Sequence, residues 1–447
     1  MRRRSPARPS RRQDPSDERA PAPPAWLALV RARADASASR QRRDAAHPPR
    51  PRRRPARRSH ATTPRPPEAD VEPAPEAAPA PAEVAVADAD VADDAAVAAA
   101  PEAHWYDALM VNGFASVGFT LNTNRPADDA NQLRVFDTED NAFNVDVIEL
   151  VVQKPAAEPG QAGFRIDLTA GSAIPAATAS AGLFRDADGV AQDVDLQQAV
   201  VSYIGNVGGK GLRLDVGKFV THMGYELIEG YDGYNDNYSR SILFGYAIPF
   251  THTGVKLGYP LTDKISGMVM IANGWDNVKD NNSGKTLGLQ LAGSFDAVAA
   301  YLNYVGGPEQ DGDNGNLRHV VDLVATYAAS DVLSFGLNGD YGYEANAAGM
   351  GDQAATWMGA ALYAKWSASD AVSLALRGEV FDDADGVRTG AAQTVYEGTL
   401  SPSVKLGDNV VLRGDVRFDR SSVESFMTSD GTSKQQVTVA LNAIGVM

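Results

Sequence analysis

The sequence predicts an all-β fold of the membrane-spanning kind: an antiparallel up-and-down β-barrel of about sixteen strands (between about 14 and 18), with short periplasmic turns and long extracellular loops. Three observations point there. From about residue 105 the apolar residues recur at every second position rather than every 3.6. The connections between these stretches alternate between short and long, and aromatic residues collect where the stretches meet them. A helical span is excluded, because no run approaches the roughly 18 uninterrupted apolar residues it needs. Even the Ala-rich run 84–100 carries Asp88, Asp90, Asp93 and Asp94.

Along the chain, the formal net charge of −16 over 447 residues averages unlike parts. Residues 1–65 hold 19 Arg against 5 acids and almost no large apolar side chains, the composition of a disordered Arg/Pro-rich arm. Its apolar run AWLALV (25–30) is shorter than the roughly 7–15 residues of a secretory core. Residues upstream of the true start in an arginine-rich reading frame are therefore one account of the arm, and a solvated tail is another. Nucleic acid is not expected as a partner, since no folded reader accompanies the basic arm. Residues 66–104 carry 10 acids and no Lys or Arg among Ala and Pro, which reads as an extended, self-repelling linker. The folded part is placed at 105–447. There is no cysteine, which removes disulfide scaffolds, thiolate metal sites and thiol catalysis, and suits a chain that crosses an oxidising periplasm.

Within 105–447, Leu109, Val111, Gly113, Ala115, Val117, Phe119 and Leu121 alternate with mostly small or polar residues. The pattern returns in Phe164, Ile166 and Leu168; Leu212, Leu214 and Val216; Leu287, Leu289 and Leu291; Leu333, Phe335 and Leu337; Val372, Leu374 and Leu376; and Val437, Val439 and Leu441. A soluble sandwich alternates too, so the connections decide. Short turns fall at 260–263, 294–297, 328–331, 367–370 and 406–409, with two less regular ones near 155–162 and 204–210. Long polar connections lie near 122–141, 170–193, 220–250, 274–285, 305–316, 344–354, 382–392 and 419–434. Eight loops and seven turns give sixteen strands. Tyr203, Tyr259, Phe295, Tyr327 and Trp366 stand beside the turns, and Phe219, Tyr304, Tyr343, Phe381 and Phe418 where strands enter loops, as two interfacial girdles would require.

On the polar face Arg is followed two residues on by an acid: Arg165 and Asp167, Arg213 and Asp215, Arg377 and Glu379, Arg413 and Asp415, then Arg417. Residues i and i+2 of a strand point the same way. If the apolar face meets lipid these charges face the lumen, since a midplane charge on the lipid side costs roughly 2–4 kcal/mol. They are the pore-lining candidates, with an internal ion-pair network that braces the barrel as the competing account. The longest connection, 220–250, is aromatic and acidic and is the candidate for a loop folded inward. Glu226, Glu229, Asp232, Asp236 and Arg240 are its constriction candidates. The acid excess of the barrel points toward cations.

Catalytic and metal signals are thin. Ser239, His252 and Glu226 could supply a hydrolytic triad, but no recognisable spacing supports it, and no catalytic residue is assigned. The Asp/Asn/Gly-rich loops 276–282, 311–316 and 382–386 lack EF-hand spacing, so no metal or cofactor is expected.

Gly217-Lys218-Phe219-Val220-Thr221, Gly224-Tyr225-Glu226, Asn235-Asp236-Asn237-Tyr238-Ser239-Arg240-Ser241, Pro249, His252-Thr253-Gly254-Val255 and Asn273-Gly274-Trp275-Asp276 together resemble the beta-barrel porin-2 family, the OmpL-like outer-membrane proteins of Gram-negative bacteria. The resemblance covers about 105–447 and is most specific over 217–285. It implies a bacterial outer-membrane porin and carries over no agreed catalytic or binding residues. Two features depart from it: the arginine-rich arm stands where a signal peptide belongs, and the last strand closes on Gly445-Val446-Met447 rather than on an aromatic residue. The function expected is an aqueous channel for passive diffusion of small hydrophilic solutes or ions. A non-conducting structural or interaction barrel is the alternative. Expected partners are outer-membrane lipid and lipopolysaccharide, the barrel-assembly machinery and, as an open question, further copies of the chain.

Overall fold

A computed structural model of the chain describes residues 105–177, 183–184, 190–347, 349–350 and 353–447. The arm expected at 1–65 and the linker expected at 66–104 lie outside them. Sixteen strands form one closed antiparallel barrel. They are β1 (Met110–Asn122), β2 (Ala142–Lys154), β3 (Ala162–Ala170), β4 (Val194–Val207), β5 (Lys210–Val220), β6 (Thr251–Pro260), β7 (Ile265–Ala272), β8 (Thr286–Phe295), β9 (Val298–Pro308), β10 (Leu317–Ser330), β11 (Leu333–Glu344), β12 (Ala355–Ser367), β13 (Val372–Asp383), β14 (Gln393–Leu406), β15 (Val410–Ser421) and β16 (Gln435–Val446). Each pairs with its sequence neighbours, and β1 closes on β16 through pairs such as Phe119 with Leu441 and Ser116 with Ile444. Closure leaves no open edge, the condition for strands to exist in lipid.

The period of two sets the two faces. On β3, Ile166 and Leu168 point outward and are exposed, while Asp167 and Thr169 are buried inside. The same holds along β8, β13 and β16, where Leu287, Leu289, Leu291, Leu376, Val380, Val439 and Leu441 are exposed. A continuous apolar band around the outside is a lipid-facing surface. The seven turns and eight loops sort to opposite edges as the sequence predicts. One of the two-residue turns is Gly208-Gly209, with φ of 59° and 79°, the double left-handed geometry of a tight hairpin.

The girdle expectation needs two corrections. Tyr203, Phe295, Tyr327, Trp366 and Phe418 are exposed on the outside, but Phe219 and Phe381 are buried in the lumen. Phe381 shares the parity of Arg377 and Glu379 and so points inward with them. Phe219 likewise shares the parity of Arg213 and Asp215 on β5 and points inward with them; between them Gly217 has a φ of 139°, and a Cβ there would stand 1.9 Å from the Ala199 carbonyl.

Candidate functional site

The interior is organised by the third long loop, 221–250, which leaves β5 and crosses the lumen before returning to β6. Main-chain amides of its first leg donate to β10 and β11: Gly224 N to Asp322 Oδ1 (3.3 Å) and Tyr225 N to Asn338 Oδ1 (3.1 Å). Its middle reaches the far wall, where Tyr231 N donates to Glu149 Oε2 on β2 (2.8 Å) and Arg165 on β3 donates to Asp232 (2.6 Å). The tip meets β12 through Lys365 Nζ and Asp236 (2.7 Å). Returning, Ser239 N and Oγ both donate to Asp415 on β15 (2.8 Å), and the Tyr238 hydroxyl donates to Asp146 on β2 (3.0 Å). A loop of Asp, Asn, Gly and Tyr lies inside a polar lumen because its buried main-chain groups find partners either on the wall or within the loop, as where Leu227 N donates to Asn235, Asn235 N to Glu229 and Ser241 N to Glu226.

A short helix, Ile242–Tyr246, ends the return leg. Ser241 Oγ caps it by accepting from Phe244 N (2.9 Å), and Glu379 on β13 accepts from Ile242 N (2.6 Å) and Leu243 N (3.0 Å). A carboxylate suits that end, where unpaired amides concentrate positive potential. The helix carries Ile242, Leu243 and Phe244 into an apolar cluster with Met223, Phe250, Trp275, Trp357, Phe381 and Phe426. Loop residues 136, 275 and 426 thus help fill the loop-side half of the barrel.

The predicted charges all project inward, in two different environments. Arg165 and Arg213 bond their i+2 acids along the strand (2.8 and 2.9 Å), and Arg213 keeps a side chain 48% exposed. Asp167, Asp215, Arg377, Glu379, Arg413, Asp415 and Arg417 are buried and do not face water. This corrects their reading as pore lining: each is taken up by a wall or loop partner. Arg377 donates to Glu226 (2.6 Å), Glu397 (3.0 Å) and the Ser239 carbonyl (2.6 Å). Arg413 donates to Glu229 (2.6 Å) and Asn442 (3.0 Å), and Arg417 to Asp419 (2.8 Å) and the Arg240 carbonyl (2.5 Å). Of the loop candidates, Glu226, Glu229 and Arg240 are buried in these clamps, while Asp232 keeps a half-exposed side chain and Asp236 a partly exposed one. Lys256, Lys365 and Glu397 were not singled out from the sequence, although Lys256 lies on the polar parity between Val255 and Leu257.

Burial alone would raise Glu229, but the Arg240 and Arg413 guanidiniums outweigh it and hold the carboxyl at about 2. His222, at the start of the loop, is pushed down to about 4 by burial and by Lys256 nearby, so its imidazole is neutral at pH 7. Ser239 and His252 belong to separate networks: His252 Nδ1 lies 3.3 Å from the Gly274 carbonyl and Nε2 3.4 Å from Thr221 Oγ1, while Ser239 serves Asp415 and Arg377. Among the described residues, no group of three or more His, Asp or Glu side chains is placed to hold a metal. In the loop 311–316, Asp313 instead accepts from Gly315 N (2.6 Å) and Asn316 N (3.2 Å), which is turn formation.

Two adjoining cavities lie beside the loop. One of about 440 Å³ lies between the loop and the wall from β8 to β13, and a smaller one of about 110 Å³ opens among Ser367, Ser369, Asp370 and Lys405 at the turn edge. They share Tyr234, Asn235, Asp236 and Lys365.

The profile of the family described as "Putative beta-barrel porin-2, OmpL-like" matches residues 108–446, the whole barrel. The chain belongs to that family. It is an outer-membrane β-barrel of the porin class; among the described residues no helix is long and apolar enough to cross a membrane. Similar solved structures include the anion-selective porin of Comamonas acidovorans (13% identity, TM-score 0.51, 76% of this chain and 99% of that one). OprB of Pseudomonas putida is another (10% identity, TM-score 0.52, 76% and 94%). At such identities the likeness establishes the shared barrel fold. No curated protein sequence matches the porin described here.

Proposed function

We propose that this porin passes small hydrophilic solutes and ions by passive diffusion, and that the loop 221–250 sets its constriction. The observation that carries this reading is the pair of adjoining cavities left between the loop and the wall. The charges at the water-accessible surfaces are partly balanced: Arg165 with Asp232, Lys365 with Asp236, and Arg213 with Lys256 around the single Asp215. Arg165 also holds Asp167, which offsets the remaining positive charge, so the narrow region carries no net charge of its own and does not share the cation preference that the overall acid excess suggests. Lipid and lipopolysaccharide contact through the apolar band, assembly by the barrel-assembly machinery through β16, and self-association belong to the same proposal, as does the lack of an enzymatic role.

One observation favours the alternative of a non-conducting barrel: the apolar cluster that fills the loop-side half. Planar-bilayer recording of the purified protein decides. Stepwise conductance is expected, with Arg213→Gln and Lys256→Gln each moving the reversal potential toward cations. A folded, heat-modifiable barrel that gives no steps overturns the channel and leaves the plugged barrel.

A further inference from the structure

The larger cavity has the chemistry of a binding site rather than of a plain passage. Its volume, about 440 Å³, falls within the roughly 300–1,000 Å³ range of small-molecule sites. Aromatic rings supply much of its lining: Tyr225 stacks on Tyr363 with centroids 4.0 Å apart, and Tyr234 and Tyr301 keep exposed ring surface. The charged groups there are already paired, Glu226 with Arg377 (2.6 Å) and Asp236 with Lys365 (2.7 Å), so a solute entering meets little free charge.

Several polar groups around this cavity are uncommitted. Among the described residues, no partner bonds the hydroxyls of Tyr234, Tyr301, Thr326 or Ser334. Gln290 uses its amide N–H toward His222 O (3.3 Å) and Asn303 (2.9 Å), which leaves its Oε1 free to accept. Gln290, Tyr301, Thr326 and Ser334 sit on the successive strands β8 to β11, so these groups form an arc across one wall. Flat apolar rings beside an arc of neutral hydroxyl and amide groups match a solute with apolar C–H faces and a rim of hydroxyls. Ring faces carry negative potential that attracts polarised C–H groups, and the rim satisfies the free donors and acceptors.

We infer that this cavity is a binding site for a neutral, ring-shaped polyol of about monosaccharide size. It rests on the channel reading only in that the bound solute would lie on the diffusion path.

The test uses the full chain folded in a zwitterionic detergent without a sugar headgroup, with saturation-transfer NMR to glucose and, as a linear neutral control, to tetraethylene glycol. Glucose C–H protons should receive saturation and tetraethylene glycol should not. Tyr301→Ala should weaken glucose binding about tenfold, and the shape-conserving Thr326→Val several-fold, each in a barrel that remains heat-modifiable. If Tyr301→Ala does not fold, Thr326→Val alone decides. No transfer to glucose, equal transfer to both probes, or wild-type binding in the folded variants overturns the site. Bilayer recording of the same samples separates the two readings. Binding without channels leaves the site and removes the diffusion path, and channels without binding do the reverse.

Discussion

Arg377 ties three segments together: its own strand β13, Glu397 on β14, and the loop through Glu226 and the Ser239 carbonyl. Its side chain and its acid partners are essentially shielded from water. Removing one member of a buried pair strands the other, at about 3–5 kcal/mol. Arg377→Ala should therefore lower the heat-modification temperature clearly, whereas Arg213→Ala, at a half-exposed site, should change it little, within about 1 kcal/mol. Glu229 makes a second clamp testable by pH. Its carboxyl sits at about 2 in the barrel against an ordinary 4.5, a depressed value, so its contribution is complete above 4.5 and is lost as pH falls through about 2. Heat-modification of the wild type should then stay flat, as far as this clamp is concerned, between neutral pH and the ordinary carboxylate range, and weaken only in stronger acid. Glu229→Gln should be less stable at neutral pH and lose that acid step. Both sets of residues were legible in the sequence, the wall Arg from the period of two and the loop acids from composition. Their pairing was not, because it joins Glu226 to Arg377 and Glu229 to Arg413, 151 and 184 residues apart, through a loop whose inward path no local pattern encodes.

The strands and their connections were the most legible elements, since lipid on one side and water on the other impose the period of two on each strand independently. What escaped was parity at the ends of strands. Phe381 could have been placed inside by counting from Glu379, and Phe219 by counting in twos from Asp215. The short helix Ile242–Tyr246 was also invisible, being too brief for a 3.6-residue period and stabilised by a carboxylate from another strand. The loop is held along its whole length rather than at one hinge, which makes a definite forecast about its motion. The chain has no native cysteine, so Asn237→Cys with Ser401→Cys, whose side chains now meet at 2.7 Å between loop and β14, offers one clean cross-link. Oxidation and subsequent reduction should each leave single-channel conductance unchanged within error. A large drop on oxidation would show that conduction needs the loop to leave this wall.

At the scale of the whole molecule, the position of the membrane follows from the exposed apolar band, and a charge placed in that band reads it directly. Val416 points outward between buried Asp415 and Arg417 and is half exposed. Val416→Arg should cost about 2–4 kcal/mol in a bilayer, seen as reduced folding yield in vesicles, with a much smaller penalty in detergent. Orientation is a separate matter, since the same band would serve a barrel inserted either way. The sorting of long loops to one edge and turns to the other predicts which edge faces the medium. Asp311 lies exposed in a long loop and Ser369 exposed in a turn, and with no native cysteine each can carry a single thiol. The reagent must be larger than any pore, because a small maleimide would diffuse through the channel and label both edges. With a maleimide on a polyethylene glycol chain of several kilodaltons, Asp311→Cys should react in intact cells, and Ser369→Cys only after the outer membrane is opened. The opposite pattern would invert the barrel and place the cavity mouth at Ser367 and Asp370 on the outside. Solutes arriving from the medium would then meet the Asp236 and Lys365 pair before the long loops.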